Sequence, residues 1–113
     1  MHELSIAENL VEIVREEMEK AGLKKLNSVQ VKVGEFTHLA PHALEFCFEI
    51  AVQETPFEGA RLEIEMVPTM GFCNKCREEF HVDGPLFICP KCAGGDVEVR
   101  AGREMTIESI DAE

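Results

Sequence analysis

From residue 4 onward, apolar side chains recur every three or four positions: Leu4, Ala7, Val11, Val14, Met18 and Ala21. That period puts them on one face of an α-helix. Ser5 and Glu8 have the S-x-x-E spacing of a capping box, which predicts a helix start at about residue 5. Gly22 supplies a C-terminal stop. The period then drops to two. In SVQVKVGEF, Val29, Val31 and Val33 alternate with Gln30 and Lys32, the pattern of a half-buried strand. Pro41 suits the first turn of a second helix, in APHALEFCFEIAV, because the N–H it lacks would be unpaired there anyway. Leu44, Cys47, Phe48 and Ala51 form its expected buried stripe, with Cys47 read as a small core residue. After the turn-like TPFEG, ARLEIEMV places Leu62, Ile64 and Met66 on one side of another strand.

From Pro68 the regular periods stop. TMGFCNKCREEFHVDGPLFICPKCAGGD is rich in cysteine, glycine and turn formers. Alternation returns in DVEVRAGREMTIESI, where Met105 and Ile107 are expected inward positions of one or two closing strands. The predicted fold is α+β: a small mixed or antiparallel sheet packed by two helices, interrupted by a zinc-ribbon-like lobe with two CxxC knuckles. The expected domains are residues 1–67 plus 97–113 for the α+β part and 68–96 for the lobe.

Size and charge narrow the function classes. A chain of 113 residues, 45% of them hydrophobic, can build one real core. Its 22 acidic against 11 basic residues give a formal charge of -11. That field repels phosphate backbones and anionic lipid, so neither nucleic acid nor membrane is an expected partner. No apolar run approaches the ~20 residues needed to cross a bilayer. Glu3, Glu8 and Glu12 stand where a secretion signal would be basic and then apolar, so the expected compartment is the cytoplasm.

The five cysteines are an odd number, and four of them form two CxxC pairs: Cys73, Cys76, Cys89 and Cys92. In an unexported chain this pattern favours metal over disulfides. Two residues between cysteines let both sulfurs of a knuckle face one ion, and two knuckles complete a tetrahedron. Zinc suits that closed S4 set, in which no position is left for water, so the expected role is structural. A rubredoxin-like iron site is the rival, because Cys89-Pro90-Lys91-Cys92 resembles an iron knuckle and thiolate tetrahedra accept both metals. Two unrelated dithiols or a redox pair are the simpler alternative. Lys75, Arg77 and Lys91 are outnumbered by Glu78, Glu79, Asp83 and Asp96, so the lobe lacks the basic patch of a nucleic-acid-binding ribbon. His81 lies outside the knuckles and is read as a surface residue.

A second set of donors sits at the start of the chain, MHE. A free α-amine on Met1, the amide nitrogen of residue 2 and the imidazole of His2 can chelate one ion in fused rings. Nickel(II) or copper(II) can displace the amide proton and favour square-planar nitrogen. The fourth donor is left open among the Glu3 amide, the Glu3 carboxylate and a side chain from elsewhere. A residue as large as His2 disfavours removal of Met1. Taken alone, a histidine at position 2 has the simpler reading of a solvated chain end.

The stretches MHELSIAENLVEIV, VKVGEF with its Pro-initiated Phe-rich helix, CxxC…CPKC and GREMTIESI together resemble the HypA/HybF family along the whole chain. The resemblance implies a nickel metallochaperone for maturation of nickel–iron hydrogenase, and in some organisms of urease. It implies that His2 is the essential nickel side chain, with the Met1 amine and Glu3 beside it. It implies that Cys73, Cys76, Cys89 and Cys92 hold structural zinc. It further implies cooperation with a nickel-handling GTPase, HypB, and docking on the hydrogenase large subunit; the choice between a monomer and a weak homodimer is left open. Two departures stand out. Many relatives have glycine directly after the last knuckle, where this chain has Ala93-Gly94; and acidic residues common around the second helix's proline are replaced by Ala40 and His42. His38 and His42 are candidates for the missing carboxylate's place but are read first as exposed turn residues, and Glu35 is a further candidate near the site.

Three classes follow. A carrier holds nickel at His2 and passes it on; an adaptor uses the zinc lobe only as a docking surface; an enzyme would need an open metal position, a nucleophile elbow or a phosphate loop, and the sequence has none. The expectation is a carrier that is not an enzyme.

Overall fold

The computed structural model describes residues 2–83 and 86–113. The elements run α1 (Glu3–Ala21), β1 (Leu26–Gly34), a 3-10 turn (Glu35–Thr37), α2 (Pro41–Val52), β2 (Arg61–Val67), β3 (Met70–Cys73), β4 (Glu78–His81), β5 (Val97–Ala101) and β6 (Met105–Ala112). The strands form two three-stranded sheets, ordered β2-β1-β6 and β4-β3-β5. The expected α+β class is therefore the observed one.

The chain divides into two compact units. The first comprises Met1–Lys32, Leu39–Glu65 and Thr106–Glu113; the second comprises Val33–His38 and Met66–Met105. The lobe is thus larger than residues 68–96. Val97–Ala101 joins it because β5 pairs antiparallel with β3, Cys73 facing Val97, with a register shift between Met70 and Gly71. The β3–β4 hairpin is only four residues on each side, and a third strand gives so short a ribbon lateral support.

In the first unit, α1 and α2 pack together over a core of Ala7, Leu10, Val14, Met18, Leu44, Phe48 and Val52. The buried stripe of α1 is shifted from the expected one. Leu10 is inside, Leu4 is 47% exposed, and Ala21 faces solvent. On α2 the buried positions are Leu44, Phe48 and Val52, four residues apart, which leaves Cys47 and Ala51 half-buried on its flank. In β1, Val29, Val31 and Val33 are buried and Gln30 and Lys32 are less so, as alternation predicts. In β2, Leu62 is buried while Ile64 is intermediate and Met66 exposed, so that strand's inward row fades along its length.

The helix α1 begins at Glu3, not at residue 5. Ile6 N–H already donates to the His2 carbonyl at 3.0 Å, so helical bonding starts one turn before the proposed capping box, and Ser5 and Glu8 lie inside the helix. His2 occupies the N-cap position and makes no side-chain cap. The other end is as expected: Gly22 adopts φ 72° and its N–H returns to the last carbonyls, a left-handed stop glycine allows at no steric cost.

Within the second unit two glycines permit a close backbone approach. Gly34 N–H donates to the Glu104 carbonyl at 2.6 Å, and Phe36 N–H to the Gly102 carbonyl at 2.8 Å. A Cβ on Gly34 would lie 2.0 Å from the Gly102 carbonyl oxygen, which leaves no room for any side chain.

Candidate metal centres

The cysteine site is assembled by two knuckles of the same design. After β3, Arg77 N–H donates to the Cys73 carbonyl at 2.7 Å, and Arg77 adopts φ 58°. In the second knuckle, Ala93 N–H donates to the Cys89 carbonyl at 2.8 Å, and Ala93 adopts φ 56°. Each turn closes on a left-handed residue just after its second cysteine, which swings both sulfurs to the inside. The four ligand atoms all lie within 4.8 Å of one another. Sγ of Cys73 is 3.7 Å from that of Cys92, and Sγ of Cys89 is 3.9 Å from that of Cys76. A regular tetrahedron with bonds of about 2.3 Å separates its sulfurs by about 3.8 Å, so the donor set has the dimensions of a four-thiolate metal site. A disulfide needs sulfurs about 2.05 Å apart, well inside these spacings.

Electrostatics inside the cluster are uneven. Backbone N–H groups of Cys92 and Lys91 point at Cys89 and lower its thiol to about 7. Hydrogen bonding with the Cys92 sulfur, followed by desolvation, raises Cys76 to about 12. The two shifts run in opposite directions, and metal binding, which takes up thiolate, releases whatever protons the four thiols carry. Beside the cluster, Lys91 pairs with Glu78, which raises its ammonium above the ordinary 10.5.

The predicted N-terminal residues are placed differently. His2 is exposed at the start of α1. Glu3 is half-buried, and its Oε2 accepts the Ala40 N–H at 3.3 Å. The Met1 amine lies outside the described residues. His38 closes the 3-10 turn at φ 59°, and His42 is in the first turn of α2; both are exposed. Glu35 engages the lobe: its Oε1 lies 3.4 Å from Thr69 N and 3.2 Å from His81 Nε2, while His81 Nδ1 faces Asp83 at 3.1 Å. Among the described residues, Cys73, Cys76, Cys89 and Cys92 are the group of three or more His, Cys, Asp or Glu side chains close enough to share an ion. The structure thus gathers the predicted cysteines and does not gather Glu35, His38 and His42 around a common point. The anchoring roles of Glu3 and Glu35 were not foreseen, because their partners are 37 and 34 residues away in sequence.

A chain that combines a four-thiolate site in a small β lobe with an exposed histidine at the tip of a helix has the makings of a metal-handling protein. Comparison with known proteins gives the class. The family described as "Hydrogenase/urease nickel incorporation, metallochaperone, hypA" matches residues 1–112. A hydrogenase maturation factor HypA of Desulfosudis oleivorans is 41% identical, covering 98% of this chain and 97% of that protein. One from Desulfitobacterium hafniense is 37% identical over 100% of this chain and 99% of its own. A solution structure of the nickel metallochaperone HypA from Helicobacter pylori superposes with a TM-score of 0.69 at 25% identity, covering 99% of this chain and 97% of that one. The chain belongs to the HypA family, whose members are named as metallochaperones and hydrogenase maturation factors rather than enzymes.

Proposed function

We propose that this protein binds nickel(II) at its N-terminus and delivers it to the hydrogenase large subunit during maturation, with zinc held permanently by Cys73, Cys76, Cys89 and Cys92. The α-amine of Met1 and the amide and imidazole nitrogens of His2 form the chelate, and the Glu3 amide is the nearest fourth nitrogen. One observation carries this reading: the donors are segregated. The four thiols form a closed set, all within 4.8 Å, while the His2 imidazole is exposed at a helix start. Helix geometry supports it too. The first intrahelical donor is Ile6, so a metal that displaces the His2 amide proton breaks no helical hydrogen bond.

The two sites have the lability their tasks need. A four-sulfur cage keeps its ion, whereas a chelate at an exposed tip can load and be surrendered. The energy for a directed transfer comes from a nickel-handling GTPase of the HypB kind, and the charge of -11 suits a basic face on that partner. Free thiols fit a reducing compartment, so the place of action is the cytoplasm. No described helix is long and apolar enough to cross a membrane.

Titration calorimetry of nickel(II) into the zinc-loaded protein, with an unblocked terminus, separates carrier from adaptor. The expected outcome is one tight site in the parent, and at least tenfold weaker binding in His2→Ala with its circular dichroism unchanged. Equal binding in both would leave the protein as a zinc-stapled adaptor without nickel transfer.

A further inference from the structure

The start of α2 lacks its own capping group. The first N–H groups of a helix have no intrahelical partner, and a side chain at the N-cap or at the third helical position ordinarily accepts from them. Here the N-cap is Ala40, which makes no side-chain cap, and Pro41 has no N–H to offer. Ala43 stands where the glutamate of a capping box would reach back to the N-cap N–H. The acceptor comes instead from the other helix of the same compact unit, with Ala40 N–H donating to Glu3 Oε2 at 3.3 Å.

We propose that Glu3 is a positioning residue: its carboxylate completes the cap of α2 in trans and holds the first turn of α1, with His2, at that helix start. The carboxylate is then spent on the fold and leaves nickel to nitrogen donors. Without the cap, the first turn of α2 frays and the tip must be ordered at the moment of metal binding, which weakens the chelate without removing a donor.

The test uses Glu3→Ala and Glu3→Gln in the full chain. In the metal-free protein, the Ala40 amide should exchange with solvent about fivefold to tenfold faster in Glu3→Ala and near the parent rate in Glu3→Gln, whose amide oxygen still accepts. Nickel(II) alone is then titrated. Glu3→Ala should bind about threefold to fivefold more weakly with the d–d absorption band of bound nickel unmoved, and Glu3→Gln should restore the affinity. A band that shifts in both variants, with affinity lost equally, would make Glu3 a ligand and overturn the proposal. An Ala40 amide that exchanges at the parent rate in Glu3→Ala would overturn it as well. The nickel measurement rests on the N-terminal site proposed above, whereas the exchange measurement does not. Failure of the parent to bind nickel would therefore sink that site while the Ala40 rate still decides the cap.

Discussion

Ala93 shows how a single residue can sit against its own preference. An L-residue with a side chain in the left-handed region crowds its Cβ against backbone, and Ala93 is held there at φ 56° only because the knuckle closes on it. Glycine would take that conformation without the clash, so Ala93→Gly should stabilise the metal-bound lobe by about 1 kcal/mol. Competition with a zinc-responsive chelating dye reads this as about fivefold tighter zinc; unchanged or weaker zinc binding would refute the account of the knuckle. Hydrogen bonding from Thr69 N–H, then from His81, holds the Glu35 carboxyl below the ordinary 4.5. A depressed carboxylate contributes stability that is fully present above 4.5 and lost as pH falls through its lowered folded value. Acidification from neutral to pH 5 should therefore leave the Glu35 anchor in place. NMR titration of its side-chain carboxyl should give a midpoint below 4.5 that moves up in His81→Ala; a midpoint at or above 4.5 in the parent would contradict this. Little of this was legible in the sequence. Spacing brought the cysteines together because each knuckle is local, but nothing local ties Glu35 to Thr69 or Glu3 to Ala40.

Among elements, those with long and regular periods were the easiest to foresee. Both helices, β1 and β2 are present because their apolar rows repeat over enough residues to choose one face. Their ends were harder. The S-x-x-E motif pointed to a start at residue 5, but α1 runs back to Glu3, where a tertiary contact with α2 supports the first turn. The fate of the segment after the second knuckle was not legible either. Val97–Ala101 alternates like any closing strand, and only its pairing with β3 shows that it belongs to the lobe. That pairing has a consequence. A four-residue hairpin and one further strand bury little apolar surface, so on the function proposed above the lobe's stability comes largely from zinc, a contribution of about 10–16 kcal/mol for small zinc modules. Removing zinc with a strong chelator should raise amide exchange across β3, β4 and β5 by orders of magnitude, while helical circular dichroism from α1 and α2 holds. Unchanged protection in those three strands would mean that the lobe stands without its ion.

A carrier of this kind must keep two metals from exchanging places. The cysteine thiols belong to one unit, apart from the half-buried Cys47 of α2, and the histidine at the chain start belongs to the other. The charge of -11 fits the same division: it disfavours nucleic acid and anionic lipid and suits cationic cargo and basic protein surfaces. The family could be read from motifs distributed over the full length, and the match to residues 1–112 agrees with that reading. X-ray absorption at both metal edges tests the division most directly, on protein loaded with one equivalent each of zinc and nickel. The account predicts four sulfurs at about 2.3 Å around zinc, and a nickel shell of nitrogen and oxygen alone that is lost in His2→Ala. Sulfur in the nickel shell, or fewer than four sulfurs around zinc once nickel is added, would contradict it.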